Sequence, residues 1–126
     1  DLVVSQMGEM NVPGDSLLSF YDEEGKLLLN LETGLHDIDA LAYSPKGYLY
    51  ALDFAWSDTS QGGLFRLDAS REDGKQAVKT SKVTSLDKPT AMVFGDDGTL
   101  YVTVIGSAAE GSETPGGKLL KITGGL

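Results

Sequence analysis

The stretch TAMVFGDDGTLYVTVI, residues 90–105, lies without a gap over DALAYSPKGYLYALDF, residues 39–54, at an offset of 51. Ala91 meets Ala40, Gly98 meets Gly47, Leu100 meets Leu49 and Tyr101 meets Tyr50, while Met92, Val93 and Phe94 meet Leu41, Ala42 and Tyr43. Each copy is an apolar run, a short polar turn holding a glycine, and a second apolar run, which is the pattern of a β-hairpin. Taken alone, Asp96-Asp97-Gly98 suggests the start of a calcium loop. Its counterpart Pro45-Lys46-Gly47 has no carboxylate, and a position that accepts both triplets is a turn. An EF-hand would also need a glutamate at the twelfth loop position, where Ser107 stands when Asp96 is counted first. The stretch is therefore read as a tight turn, with Gly98 at positive φ and Asp96 and Asp97 exposed.

The repetition extends outward from this hairpin. DSLLSFYDEEGKLLLNLETGL (15–35) parallels GLFRLDASREDGKQAVKTSKVTSL (63–86), and GKLLKITGGL (117–126) is a shorter third copy. Leu17, Leu64 and Leu119 align, followed by the turn signals Glu24-Gly25-Lys26 and Asp73-Gly74-Lys75. The apolar runs are short and bounded by Gly, Pro, Asp and Ser, so the chain, with its sixteen glycines, reads as all-β without a helix. Labelled A to D within each unit, ten strands follow: B, C and D of a first unit, A to D of a second, and A to C of a third. Four-stranded units of this length point to β-propeller blades. The expected divisions are 1–35, a blade lacking strand A; 36–86, a complete blade; and 87–126, a blade lacking strand D. Leu41, Tyr43, Leu49, Met92, Phe94 and Leu100 are expected to be buried.

KPTAMVFGDDGTLYVT (88–103) resembles the NHL and SMP-30-like class of six-bladed propellers, and Tyr50-Ala51-Leu52-Asp53 is similar to the "YVAD" ending of that class. GTLYVT followed by GGKLLKI also resembles glucose/sorbosone dehydrogenase-like and ScyD/ScyE-type exported propellers. The third copy departs from the pattern with Val104 where the aspartate would stand, and the first with Gln6. The resemblance implies partial propeller architecture, with B–C loops and D–A segments on one rim around a channel mouth and A–B and C–D turns on the other.

Ten Lys plus Arg stand against nineteen Asp plus Glu, a net charge of −9. That balance argues against nucleic acid and against an anionic membrane surface, both of which require a positive footprint. No run is long enough for a membrane helix. The absence of cysteine excludes disulfides, thiol nucleophiles and thiolate metal sites. The chain begins at Asp1 without a signal peptide and is read as processed or excerpted, with a secreted or periplasmic location expected.

The B–C loops QMGEMNVPGDS, AWSDTSQGG and GSAAEGSETPGG are long, whereas the opposite turns are short. Loops on a rigid scaffold are where binding groups concentrate. The candidate ligand-binding residues are His36, Asp37, Asp53, Trp56 and Asp58 on that rim. Asp37 and Asp39, two apart on an extended segment, form a candidate pair for a hard cation such as Ca²⁺. Trp56, the sole tryptophan, offers a stacking surface, and Glu9 and Glu110 add charge to the corresponding loops. No nucleophile–base–acid set can be assembled. The expected function is a ligand-binding or scaffold propeller piece without chemistry of its own. The alternatives implied by resemblance are a metal-dependent SMP-30-like hydrolase and a quinoprotein-like sugar dehydrogenase, for which Lys88 is the only rim cation. The expected partners are other blades of a longer chain or other copies of this one, with a small polar ligand at the rim.

Overall fold

The computed structural model describes residues 1–126 and contains ten strands. They are β1 (Leu2–Gln6), β2 (Leu17–Tyr21), β3 (Leu27–Glu32), β4 (Ile38–Tyr43), β5 (Leu49–Asp53), β6 (Gly63–Glu72), β7 (Lys75–Ser85), β8 (Pro89–Phe94), β9 (Leu100–Val104) and β10 (Lys118–Ile122). All pairings are antiparallel, and the strands form three separate meanders, β1-β2-β3, β4-β5-β6-β7 and β8-β9-β10. The one helical element is a single 3₁₀ turn, Thr59–Gln61. The chain is therefore all-β, built from three small open sheets.

The sheets stack because β5 and β6 are apolar on both sides. Residues paired across an antiparallel ladder share a face, and the face alternates along the strand. Leu49 and Ala51 thus point one way with their partners Leu67 and Phe65, while Tyr50, Leu52 and Leu64 point the other. The first group joins Leu18 and Leu31 of the first sheet, together with Leu35 and Ile38, in one core. The second joins Leu100, Val102 and Val104 of the third sheet in another. The middle sheet is sealed on both faces, and burying these side chains is the main force holding the stack.

The turns answer the question raised by Asp96-Asp97-Gly98. Gly95 and Thr99 close the hairpin, Gly98 N–H donates to Gly95 O at 2.9 Å, and Gly98 has φ +83°. In the other copy Gly47 N–H donates to Ser44 O at 2.8 Å with φ +87°. Asp96 and Asp97 are exposed, and Asp97 Oδ1 accepts the Thr99 N–H at 2.9 Å. That backbone bond, with the Thr99 side chain, holds the Asp97 carboxyl below its ordinary value. A Cβ on Gly98 would meet no atom within 4 Å, so its cost is purely conformational. Gly98→Ala is expected to lower stability by about 1 kcal/mol and Asp96→Ala by less than about 0.5 kcal/mol. Urea midpoints of the two variants check this, and equal midpoints would contradict it.

Three expectations need correction. Ser5 pairs with Leu18, as Leu52 pairs with Leu64 and Thr103 with Leu119. The residue equivalent to Leu64 and Leu119 is therefore Leu18, not Leu17; the first B–C loop is one residue longer than the alignment implied. Tyr43 is 55% exposed rather than buried. It lies at the end of β4 and lines an open apolar groove with Phe20 of the first sheet and Leu67 of the middle one. Leu41, Met92 and Phe94 are half-buried at the margins of the two cores, whereas Leu49 and Leu100 are buried as expected.

Candidate functional site

The segment entering β4 and the two loops beside it form one connected rim. His36 lies between the sheets. Its Nδ1 accepts the Gly14 N–H from the β1–β2 loop at 2.8 Å, and its Nε2 meets Gln61 Oε1 of the β5–β6 loop at 3.0 Å. Because Nδ1 accepts, the ring proton sits on Nε2 and is donated to Gln61. Gln61 Nε2 then donates to Asp58 Oδ2 at 3.0 Å, and Asp58 caps the 3₁₀ turn by accepting the Ser60 N–H at 3.1 Å. The Ser60 hydroxyl, the Gln61 amide and the Ser60 N–H hold the Asp58 carboxyl below its ordinary value. The imidazole is thus a bracket between loops of successive sheets, with both nitrogens engaged.

Asp53 is fully buried at the end of β5. Its Oδ2 accepts the His36 N–H at 2.9 Å, and its Oδ1 accepts those of Asp37 at 2.8 Å and Ala55 at 3.0 Å. Asp37, also buried, accepts the Trp56 N–H through Oδ2 at 2.6 Å and the Phe54 N–H through its backbone oxygen at 3.0 Å. The two aspartates together tie the segment entering β4 to the start of the β5–β6 loop. Ala55 takes φ +53° between them, at the position equivalent to Gly106 with φ +65°. A left-handed alanine is unfavourable and persists where surrounding bonds fix it. Ser16 makes a matching tie: its hydroxyl donates toward Met7 O and His36 O and accepts the Ile38 N–H at 3.0 Å.

The third sheet solves the same problem differently. Val104 replaces the aspartate, and Lys88 Nζ instead donates to Gly106 O at 3.2 Å and to Ser107 Oγ at 3.1 Å. Lys88 itself has φ +57°. Its ammonium therefore fastens the β9–β10 loop to the segment entering β8.

Trp56 is half-exposed and stacks on Phe54, with ring centroids 5.0 Å apart and planes at 24°. One face of the indole is supported from below. Beside it, Pro13, His36, Ala55, Ser57, Asp58 and Gln61 line a recess of about 60 Å³. The structure thus brings His36 and Asp58 to one recess, leaves Trp56 outside its lining and stacked on Phe54, and buries Asp37 and Asp53. A larger hollow of about 210 Å³ lies at the other end of the strands, between the two glycine turns and residues 123–126. Lys46 lines it and donates to Gly125 O at 2.8 Å.

Asp39 stands at a bulge where the β4–β5 register shifts between Ile38 and Ala40. Its Oδ1 and that of Asp37 are buried without a hydrogen-bond partner. Burial above all, with the charges of Asp53 and Asp37, raises the Asp39 carboxyl to about 7, against the lowering effect of its own backbone N–H. No group of three or more His, Asp or Glu side chains gathers so as to hold a metal ion. A calcium ion takes six to eight oxygens, far more than the Asp37–Asp39 pair supplies.

Sequence reasoning missed Gln61 and Ser16. The spacing Asp58-x-x-Gln61 resembles a capping signature and could have flagged the first. Ser16 carried no such signal, because its partners, Met7 on one side and His36 and Ile38 on the other, lie in two segments distant in sequence. A scan against family models found no match, and comparison with curated proteins and with solved structures found none either. No helix is long and apolar enough to cross a membrane.

Proposed function

We propose that the three sheets are successive blades of a β-propeller, and that the protein is an exported binding scaffold presenting a neutral polar ligand site on the rim around Trp56. The observation that carries this reading is the bracket made by His36, which ties the β1–β2 loop to the β5–β6 loop, the loop that also carries an indole held against Phe54. Loops fixed in this way lose little conformational freedom when a ligand arrives. A supported, half-exposed indole beside amide and carboxylate acceptors suits the apolar face and hydroxyl edge of a saccharide. His36, Asp37 and Asp53 are engaged in holding backbone N–H groups, which favours binding over turnover at these three side chains. The meandering sheets and their face-to-face stacking support the blade assignment.

The test uses Trp56, the sole tryptophan, as its own reporter. Glucose, maltose and CaCl₂ are titrated separately while indole fluorescence and melting temperature are followed. A saturable saccharide response is expected, lost in Trp56→Ala, reduced several-fold in Asp58→Ala and retained in Asp97→Ala at the opposite turns. No response to either sugar would remove the saccharide site. A response preserved in Asp58→Ala but lost in Asp97→Ala would move the site to the other rim.

A further inference from the structure

We propose that the chain associates with further copies of itself head to tail, the outer face of the third sheet docking on the outer face of the first sheet of the next copy. The proposal rests on the blade reading and names the partner that reading requires; it does not depend on a ligand at the rim.

The same interface is already formed twice within the chain. Leu49 and Ala51 seal the middle sheet against the first, and Leu100 and Val102 seal the third against the middle. All four are buried. The equivalent residues of the first sheet are Leu2 and Val4, which are 61% and 43% exposed. The opposite half of the interface is Tyr50, Leu52 and Leu64, all buried beneath the third sheet. Their equivalents by ladder register are Tyr101, Thr103 and Leu119; Leu119 is 70% exposed, and Val93, on the same face across β9, is 63% exposed. Each end of the stack therefore displays residues whose counterparts one sheet further in are sealed. Contiguous exposed apolar faces of this kind mark association surfaces.

The occupant follows from which half each end displays. The third sheet shows the face that elsewhere receives a Leu–Val or Leu–Ala pair, and the first sheet shows such a pair. Another copy of the chain supplies the complement in the geometry already used inside. The two faces carry opposite charges near opposite strand ends: Glu32 lies on the outer side of the first sheet through its pairing with Leu17, level with Gln6, and Lys121 on the outer side of the third through its pairing with Tyr101. Like-to-like docking would oppose identical charges. The polar centre of the first face is partly satisfied within the sheet, since Gln6 donates to Ser19 Oγ and Ser19 to Asn30 Oδ1, both at 2.6 Å. A heterologous contact of this kind closes into a ring or extends as a fibre.

Two double variants decide the matter. Leu2→Asp with Val4→Asp disables the first face; Val93→Asp with Leu119→Asp disables the third. Circular dichroism confirms that each keeps its strand signature. In sedimentation, the parent chain is expected above its 13.4 kDa monomer mass, each variant alone at the monomer mass, and an equimolar mixture as a 1:1 heterodimer through the two intact faces. Should a variant unfold, the single changes Val4→Asp and Leu119→Asp are mixed in its place. A parent that remains monomeric, a variant that self-associates through its remaining face, or a mixture that stays monomeric would each overturn head-to-tail docking. Saccharide titration of the mixture reads the rim separately, so failure of one proposal is distinguishable from failure of the other.

Discussion

Asp53→Ala is expected to lower the unfolding free energy by about 3–5 kcal/mol, the largest effect of any single polar substitution in the chain. One carboxylate accepts three backbone N–H groups, those of His36, Asp37 and Ala55, from a position with no exposed surface. Removing it leaves three donors without partners, two of them on buried residues, and a buried donor left unmet costs about 1–3 kcal/mol. It also releases Ala55 from the bond that holds its left-handed conformation, so the loop carrying Trp56 loosens at its root. Asp53→Asn keeps one acceptor oxygen and is expected to fall between wild type and alanine. Urea unfolding followed by Trp56 fluorescence reads both variants, with an additional pre-transition slope in Asp53→Ala from the freed loop. A loss below about 1 kcal/mol would show that the three bonds are not what fixes this rim.

This structural duty of Asp53 shows where sequence reasoning reaches and where it stops. The hairpins were legible because a glycine turn between two apolar runs is local, and copying at an offset of 51 supplied an internal control that one hairpin alone lacks. Carboxylates at the turn could be read as solvated because the other copy has Pro45-Lys46. The register of the first unit was not legible. Leu17 and Leu18 are adjacent and chemically identical, and only the pairing of Ser5 with Leu18 shows which faces the core. Tyr43 was misplaced because the repeat shows which face it takes, but not that the groove it lines with Phe20 and Leu67 stays open. At the rim, the residue types were found but their work was not. A sequence shows that Asp37, Asp53 and His36 can bind something; it does not show that the ligands are backbone N–H groups 16 to 22 positions away. The third sheet makes the point again, since Lys88 and Asp87 together fasten the β9–β10 loop, by an ammonium on Gly106 O and a carboxylate on the Ser107 hydroxyl.

Asp39→Asn is expected to stabilise the protein at pH 8 and to leave it unchanged at pH 3, the reverse of what losing a useful carboxylate would do. The Asp39 carboxyl ordinarily titrates near 3.8 and is raised to about 7 in the fold by burial, helped by the charges of Asp53 and Asp37. Below pH 3.8 the folded and unfolded chains both hold the proton, and Asp39 contributes no pH dependence. Between there and about pH 7 the unfolded chain has released the proton while the folded chain retains it. The folded state then binds more protons, so the unfolding free energy falls as pH rises through this window and levels off above it. Asp39 is partly exposed, and solvent screening reduces the cost to about 1–2 kcal/mol. Asparagine cannot ionise and escapes that cost. Comparing variant with wild type at each pH cancels the opposite contributions of Asp58 and Asp97, whose lowered carboxyls lose stability only as pH falls. The difference in urea midpoint should therefore open between about pH 4 and 7 and stay constant above. Adding CaCl₂ at pH 8 checks the cation reading of the pair. An ion bound between Asp37 and Asp39 would stabilise the wild type and not the variant, and would close the gap. A gap unchanged by calcium means that the proton is the only cation this bulge holds.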